Sequence, residues 1–359
     1  MTTHSNAAAE ATTPVPPEAQ LMQILGGCFQ SQAVYVAAKL GIADLLKDRP
    51  LPVAELARQT STHERTLYRV LRCLASLGIF RETDGKVFEL TAQAELLISD
   101  HPGSMRDAAI FLCEPWHWSV YGEMLYSVTT GKVAWERVHG KEVFPYFQEH
   151  PAEYEIFNRA MTSFSTNTLP AIVEAYTFSG VKKLADIAGG HGMLLSGFLK
   201  ANPQLEGLLF DLPQVIEGAP ALLKKEGVAD RVELKTGDFF ESVPGGADAY
   251  MMKFIIHDWD DDRALKILRN IHQALPSDGR LLLVEMVVPA GNEPHFSKIQ
   301  DLEMLLSPGG LERTPDEYGD LLARAGFELR RIIPTKSPLS IVEAFKGTAS
   351  GISAADLHR

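Results

Sequence analysis

The chemistry-bearing residues gather around one stretch, Leu184-Ala185-Asp186-Ile187-Ala188-Gly189-Gly190-His191-Gly192-Met193. An apolar lead-in, a carboxylate, a glycine turn and the apolar run Met193-Leu194-Leu195 read as strand, loop, helix. Glycines at Gly189, Gly190 and Gly192 let a ligand approach the backbone closely, and the helix N-terminus behind them offers unpaired N–H groups. The dinucleotide fingerprint G-x-G-x-x-G fits no register: from Gly190 its third glycine falls on Leu195, and from Ala188 on Met193. The pattern that fits is D-x-[G/A]-x-G-x-G, with Asp186 ahead of the turn. A carboxylate there suits a positively charged ligand better than a pyrophosphate, which points to a nucleoside with a cationic side group.

Two further strands end in the same chemistry. Leu208-Leu209-Phe210-Asp211 closes on a carboxylate about twenty residues past the loop, where an acidic group can accept both hydroxyls of a ribose. Val232 to Thr236 runs into Gly237-Asp238-Phe239, where Asp238 can take an adenine amine and Phe239 can cover the ring face. A fourth apolar run, Ala249 to Ile256, carries Lys253 and leads to His257 at its ligand-facing end, followed by Asp258-Trp259. The acids Asp260, Asp261 and Asp262 read as caps of the next helix and not as a metal cluster. A fifth run, Arg280 to Glu285, is apolar except for its terminal carboxylate, and a charge in such a place usually has a function.

These groups need a scaffold, and the chain is long enough for one. Its 359 residues, 45% hydrophobic and 22% charged, suffice for two domains. Residues 1–17 read as a disordered tail, 18–115 as a first domain, 116–178 as a helical, aromatic-rich segment, 179–347 as the ligand domain and 348–359 as a second tail. In the first domain the spacing predicts a helix from Phe29 to Leu46, a short helix at Pro52–Ala57 and a helix capped by Thr62 with Leu67, Val70, Leu71 and Leu74 inward. A hairpin follows, turning on Thr83-Asp84-Gly85-Lys86. Helix-turn-helix plus hairpin is a winged helix. Arg65, Arg69 and Arg72 share the exposed face of its second helix, yet residues 20–115 hold ten Lys and Arg against eleven Asp and Glu. With a net charge of −12 for the whole chain, nucleic acid is not the expected partner. The module reads instead as a dimerisation platform, with Leu21, Ile24, Leu25 and Phe29 as surplus apolar surface. Three widely spaced cysteines, no apolar run of membrane length and no basic-then-apolar leader predict a cytoplasmic protein with no membrane partner. In the helical segment Met161 and Phe164, three apart, present an apolar face on which a flat aromatic substrate can pack.

With Asp186 to Gly192, Asp211, Gly237-Asp238-Phe239, Lys253, His257-Asp258-Trp259, Glu285 and Pro308-Gly309-Gly310-Leu311-Glu312-Arg313-Thr314 in view, residues from about 20 to 346 resemble a known family. It is that of the S-adenosyl-L-methionine-dependent O-methyltransferases of the plant caffeate and bacterial polyketide-tailoring kind. The resemblance implies an α/β fold, a Rossmann-like doubly wound class I methyltransferase sheet behind an N-terminal, mostly α winged-helix dimerisation domain, and a homodimer acting on a small molecule. It places the base on His257 and the flanking acids on Glu285 and Glu312. Cofactor contacts fall on Asp186, Gly189, Gly190, Gly192, Asp211, Asp238, Phe239 and Lys253, and substrate contacts on Met161, Phe164, Asp258 and Met304. Ala188, a glycine in many members, is expected to be tolerated with negative φ. Phe164, where plant members often carry a polar residue, argues against a phenylpropanoid acceptor. N- or C-methylation or a non-methylating reaction with bound cofactor on the same fold, and a winged-helix regulator, are the alternatives.

Overall fold

The computed structural model describes residues 15–347. The expected tails therefore lie outside the described residues, save that Val15 and Pro16 precede a helix, Pro17–Leu25. The chain divides into two compact units that meet between Glu114 and Pro115. The aromatic-rich helices after Trp116 and the ligand domain share the second unit.

In the first unit the helices Val53–Gln59 and Glu64–Ser76 precede a hairpin, β2 (Phe80–Thr83) and β3 (Val87–Leu90). A two-residue strand β1 (Leu51–Pro52) pairs with β3 and completes a three-stranded wing; it is too short and too proline-bound to show a period in the sequence. Three local expectations are corrected. The long helix stops at Lys39, because Gly41 takes a left-handed φ of 66° before a short turn of helix at Ile42–Leu45. The cap position before Glu64 belongs to His63, which makes no side-chain cap bond, while the Thr62 hydroxyl pairs with that of Thr60 at 2.9 Å. The hairpin turn has three residues, since Thr83 already pairs with Val87.

The second unit is built on a seven-stranded sheet: β4 (Lys183–Ile187), β5 (Glu206–Asp211), β6 (Val232–Thr236), β7 (Ala249–Lys253), β8 (Arg280–Met286), β9 (Phe327–Pro334) and β10 (Leu339–Lys346). Their order is β6-β5-β4-β7-β8-β10-β9, parallel through β8 and antiparallel for the closing hairpin. Side chains alternate strictly between two cores. Ala185, Leu208, Tyr250, Leu281 and Leu283 pack on one face, and Leu184, Leu209, Met251, Leu282 and Val284 on the other. In β4, β5, β7 and β8, covering both faces leaves the middle positions apolar, and the charges stand at the strand ends or one residue from them. β4 is the middle one of the five parallel strands, with β5 and β6 on one side and β7 and β8 on the other, and the crevice between the β4 and β7 ends is the switch point where such sheets bind ligands. The helix Pro151–Ala175 also belongs to this unit. The aromatics of the helical segment stack on one another, with buried Trp135 meeting Trp116, Tyr146 and Phe147. No helix among the described residues is long and apolar enough to cross a membrane.

Candidate active site

The glycine loop connects β4 to the helix Met193–Ala201, and its shape is dictated at Gly189. A Cβ there would lie 2.4 Å from the Asp186 Cγ and 2.6 Å from the Leu209 Cδ1, so only glycine fits. Gly190 and Gly192 have φ of 60° and 85°, left-handed values that favour glycine. Ala188 also sits in that region, with φ of 56°. The condition on which an alanine there was expected to be tolerated, a negative φ, is therefore not met. The strain costs about 1–2 kcal/mol and is held by the Ala188 N–H bond to the Phe210 carbonyl at 2.8 Å.

Carboxylates at the strand ends converge on this loop. Asp211 accepts the Gly190 N–H at 2.8 Å and the Leu212 N–H at 2.7 Å, fixing the loop against β5; burial pushes its carboxyl up. Asp186 is buried, and burial, with Asp211 adding and Lys253 opposing, pushes its carboxyl up to about 7. Its Oδ2 is buried without a hydrogen-bond partner. Such an orphaned acceptor is costly unless a ligand meets it, and a cationic ligand would also draw its proton off. Lys253 ends β7, donates to the Ser165 hydroxyl at 2.9 Å and lies 4.6 Å from the Phe254 ring centroid; burial lowers its ammonium to about 8. Asp238 is exposed and accepts the Phe240 N–H at 2.7 Å, and Phe239 is half-buried beside it.

His257 does not end the strand, as its position in the apolar run suggested. β7 stops at Lys253, Phe254 takes a φ of 53°, and His257 rides on a 3-10 turn, Ile256–Asp258. That turn is what brings its ring to the acids. His257 Nδ1 lies 2.7 Å from Glu312 Oε1 and 3.9 Å from Glu285 Oε2, while Nε2 lies 3.5 Å from Asp258 Oδ1. Phe254 stacks on the imidazole with centroids 4.9 Å apart. The two flanking acids have different tasks. Glu285 accepts the Ile255 and Ile256 N–H groups at 3.1 and 3.0 Å and so holds the turn, whereas Glu312 is the direct partner of the ring. Burial raises Glu285 to about 6, Asp258 to about 7 and Glu312 to about 8, the last helped by Asp301 and opposed by Arg313. One ligating atom each from His257, Glu285 and Glu312 lie within 4.8 Å of one another. With Nδ1 and Glu312 sharing a hydrogen bond and Glu285 Oε1 taken by two amides, the grouping is arranged to share protons.

Asp260 alone caps the helix Asp261–Ala274, accepting the Arg263 N–H at 2.8 Å; Asp261 is engaged elsewhere, by Arg313 and Arg324. Of the expected substrate residues, Asp258 joins the His257 cluster. Met304 is buried on the helix Ser297–Leu306, and Met161 and Phe164 are half-buried on Pro151–Ala175, whose Ser165 touches Lys253. Three groups stand in the quoted motifs without a role assigned from the sequence. Trp259 faces Phe239 and Phe240 at 6.2 and 4.9 Å, and its buried Nε1 has no hydrogen-bond partner. Gly310 lets the Glu312 segment lie directly on the His257 turn, and Arg313 is buried beneath it. The paired glycines and an arginine beside a key acid were the available signals.

Known proteins resemble the chain over both units. Residues 22–100 match the O-methyltransferase dimerisation domain and residues 121–328 the O-methyltransferase domain. The phenazine O-methyltransferase PhzM of Lysobacter antibioticus is 44% identical over 92% of this chain and 96% of its own. The 8-amino-8-demethylriboflavin N,N-dimethyltransferase of Streptomyces davaonensis is 35% identical over 88% and 91%. The crystal structure of LaPhzM superposes with a TM-score of 0.87 at 44% identity, covering 92% of this chain and all of that one. A match over both units and nearly the full length leaves one reading: the chain belongs to the O-methyltransferase family, with its dimerisation domain and its methyltransferase domain.

Proposed function

We propose that the protein transfers a methyl group from S-adenosyl-L-methionine to a hydroxyl of a small aromatic natural product, with His257 as the general base. The observation that carries this reading is the 2.7 Å contact between His257 Nδ1 and Glu312, which commits one ring nitrogen and leaves Nε2 for the acceptor proton. When bound, S-adenosyl-L-methionine supplies a methyl group already activated by its sulfonium. The chain's part is alignment and proton removal. Asp186, Gly189, Gly190, Gly192, Asp211, Asp238, Phe239 and Lys253 are the residues that would hold the nucleoside; the partnerless Asp186 Oδ2 and the space that only glycine leaves at Gly189 both fit it. Met161, Phe164, Asp258 and Met304 would seat the acceptor, and alignment of this kind is worth about 7–11 kcal/mol at best. A free phenol near pKa 10 gives its proton reluctantly to a neutral imidazole, so ionisation of the partner at Glu312 matters.

Purified protein incubated with S-adenosyl-L-methionine and a panel of hydroxyphenazines, hydroxybenzoates and naphthols is expected to give a mono-O-methylated product and S-adenosylhomocysteine. Methylation on an amine with every hydroxyl left untouched would replace this reading by N-methylation, which the N,N-dimethyltransferase relative favours.

The dimerisation domain predicts a homodimer and no nucleic-acid partner. Leu21, Ile24, Leu25 and Phe29 are all more than half exposed, Phe29 at 77%. Light scattering is expected to give a dimer at micromolar concentration, and the double variant Leu25→Glu, Phe29→Glu a monomer. A wild-type monomer, or a salt-sensitive shift of DNA by the exposed Arg65, Arg69 and Arg72, would refute the assignment.

A further inference from the structure

We infer that Arg313 is the positioning residue of the proton-transfer site: one buried side chain that fixes the His257 turn against the strand of Glu285 and the segment of Glu312. The inference rests on the reading of His257 as base.

Arg313 is 1% exposed. A guanidinium is buried at high cost unless its donors are used, and here they are used on the two ends of the His257 turn and on Asp261. Nη1 donates to the Ile256 carbonyl at 3.1 Å, and Nη2 to the Trp259 carbonyl at 3.1 Å and to Asp261 Oδ1 at 2.9 Å. The two carbonyls stand on either side of His257-Asp258, so the planar fork closes the turn from both ends. Arg324 holds the other oxygen of Asp261 at 3.0 Å, which pins the anion that pins the fork. The main chain of Arg313 does the rest. It bridges Val287 in parallel, and its carbonyl accepts the Val288 N–H at 2.9 Å, just beyond Glu285. Glu312 is its neighbour in sequence. Every member of the His257, Glu285, Glu312 cluster is thus within three residues of an Arg313 contact.

The same side chain acts by charge. Glu312 is faced by His257 and Asp258 from the turn, Glu285 from β8, Asp301 from the helix Ser297–Leu306 and Tyr318 from the helix Pro315–Arg324. Among these groups and Arg313, only the guanidinium is permanently positive, and it favours the ionised Glu312 that His257 needs as partner.

Arg313→Lys and Arg313→Gln separate geometry from charge. The lysine keeps the charge but cannot span both carbonyls. It is expected to lose about 10- to 100-fold in kcat, with both KM values and the calorimetric affinity for S-adenosylhomocysteine within about twofold, and with the acid limb of the kcat–pH profile unmoved. The glutamine is expected to lose more, and its acid limb to move upward by about half a unit or more. Asp261→Asn, on a half-exposed group, gives a milder version of the lysine result and serves if the glutamine variant does not fold. A loss that merely follows the folded fraction, equal at every pH, would overturn the inference, as would unchanged kcat in both variants. The failures are distinguishable: an active His257→Ala enzyme removes the base assignment and with it this role, whereas an inactive His257→Ala beside fully active Arg313 variants removes only the role of Arg313.

Discussion

The His257→Ala enzyme is expected to bind S-adenosylhomocysteine like the wild type and to lose about 10²–10⁴ in turnover. The imidazole is held by Glu312, Glu285 and the Phe254 ring, whereas Asp211 holds the glycine loop through the Gly190 N–H, so removal of the imidazole is expected to leave the nucleoside pocket standing. The sign of the pH dependence follows from the shared proton. When Glu312 is protonated it donates to Nδ1, and the neutral ring then carries its proton on Nε2, where it cannot accept another. When Glu312 ionises, Nδ1–H donates to it and the Nε2 lone pair is free. Because burial holds the Glu312 carboxyl up near 8, wild-type kcat should rise with pH toward and through that value and level off above it. Glu312→Gln should flatten this limb and lower the plateau. Near-normal turnover in His257→Ala, measured across pH 6–9, would show that alignment alone drives transfer or that the acceptor ionises unaided.

The second large effect concerns a residue with no chemistry of its own. A Cβ on Gly310 would lie 1.9 Å from the His257 carbonyl oxygen, 2.4 Å from the Asp258 carbonyl carbon and 2.6 Å from the Trp259 amide nitrogen. All three are backbone atoms, so no side-chain rotation relieves the clash. The Leu311 N–H donates to that same His257 carbonyl at 2.9 Å, which shows how closely the two segments lie. Gly310→Ala must push them apart by an ångström or so, enough to break the 2.7 Å contact between His257 and Glu312. Displacement on that scale costs about 100-fold in rate, and the overpacking itself about 1–3 kcal/mol of stability. Gly245→Ala is the control, since its Cβ would meet nothing closer than the Ala274 carbonyl at 3.7 Å. The expected pattern is a lowered Tm and a roughly 100-fold lower kcat for Gly310→Ala only, read by calorimetry and initial rates. Equal activities in the two variants would mean that the site does not need this backbone contact.

How much of this was legible beforehand depends on the distance over which the deciding forces act. The strands of the sheet were readable because burial on both faces demands unbroken apolar runs, and a carboxylate, lysine or histidine at the end of such a run stands out. Asp186, Asp211, Lys253 and Glu285 were found in that way, and the glycine loop by its spacing. Other features depend on partners far away in the chain. The positive φ of Ala188 is set by a bond to Phe210, the turn under His257 by Glu285 and Arg313, and the closeness of Gly310 by a segment some fifty residues earlier. Local propensity gives no sign of these, because each is a compromise in which a distant hydrogen bond or packing contact outweighs the preference of the residue itself. The sequence alone determined which chemical groups the protein carries and on which edge of the sheet they stand. Only the tertiary structure decided that Glu312 and not Glu285 is the direct partner of His257, because two backbone amides hold Glu285 by Oε1 in a pose that leaves its Oε2 3.9 Å from the ring, while Glu312 reaches 2.7 Å.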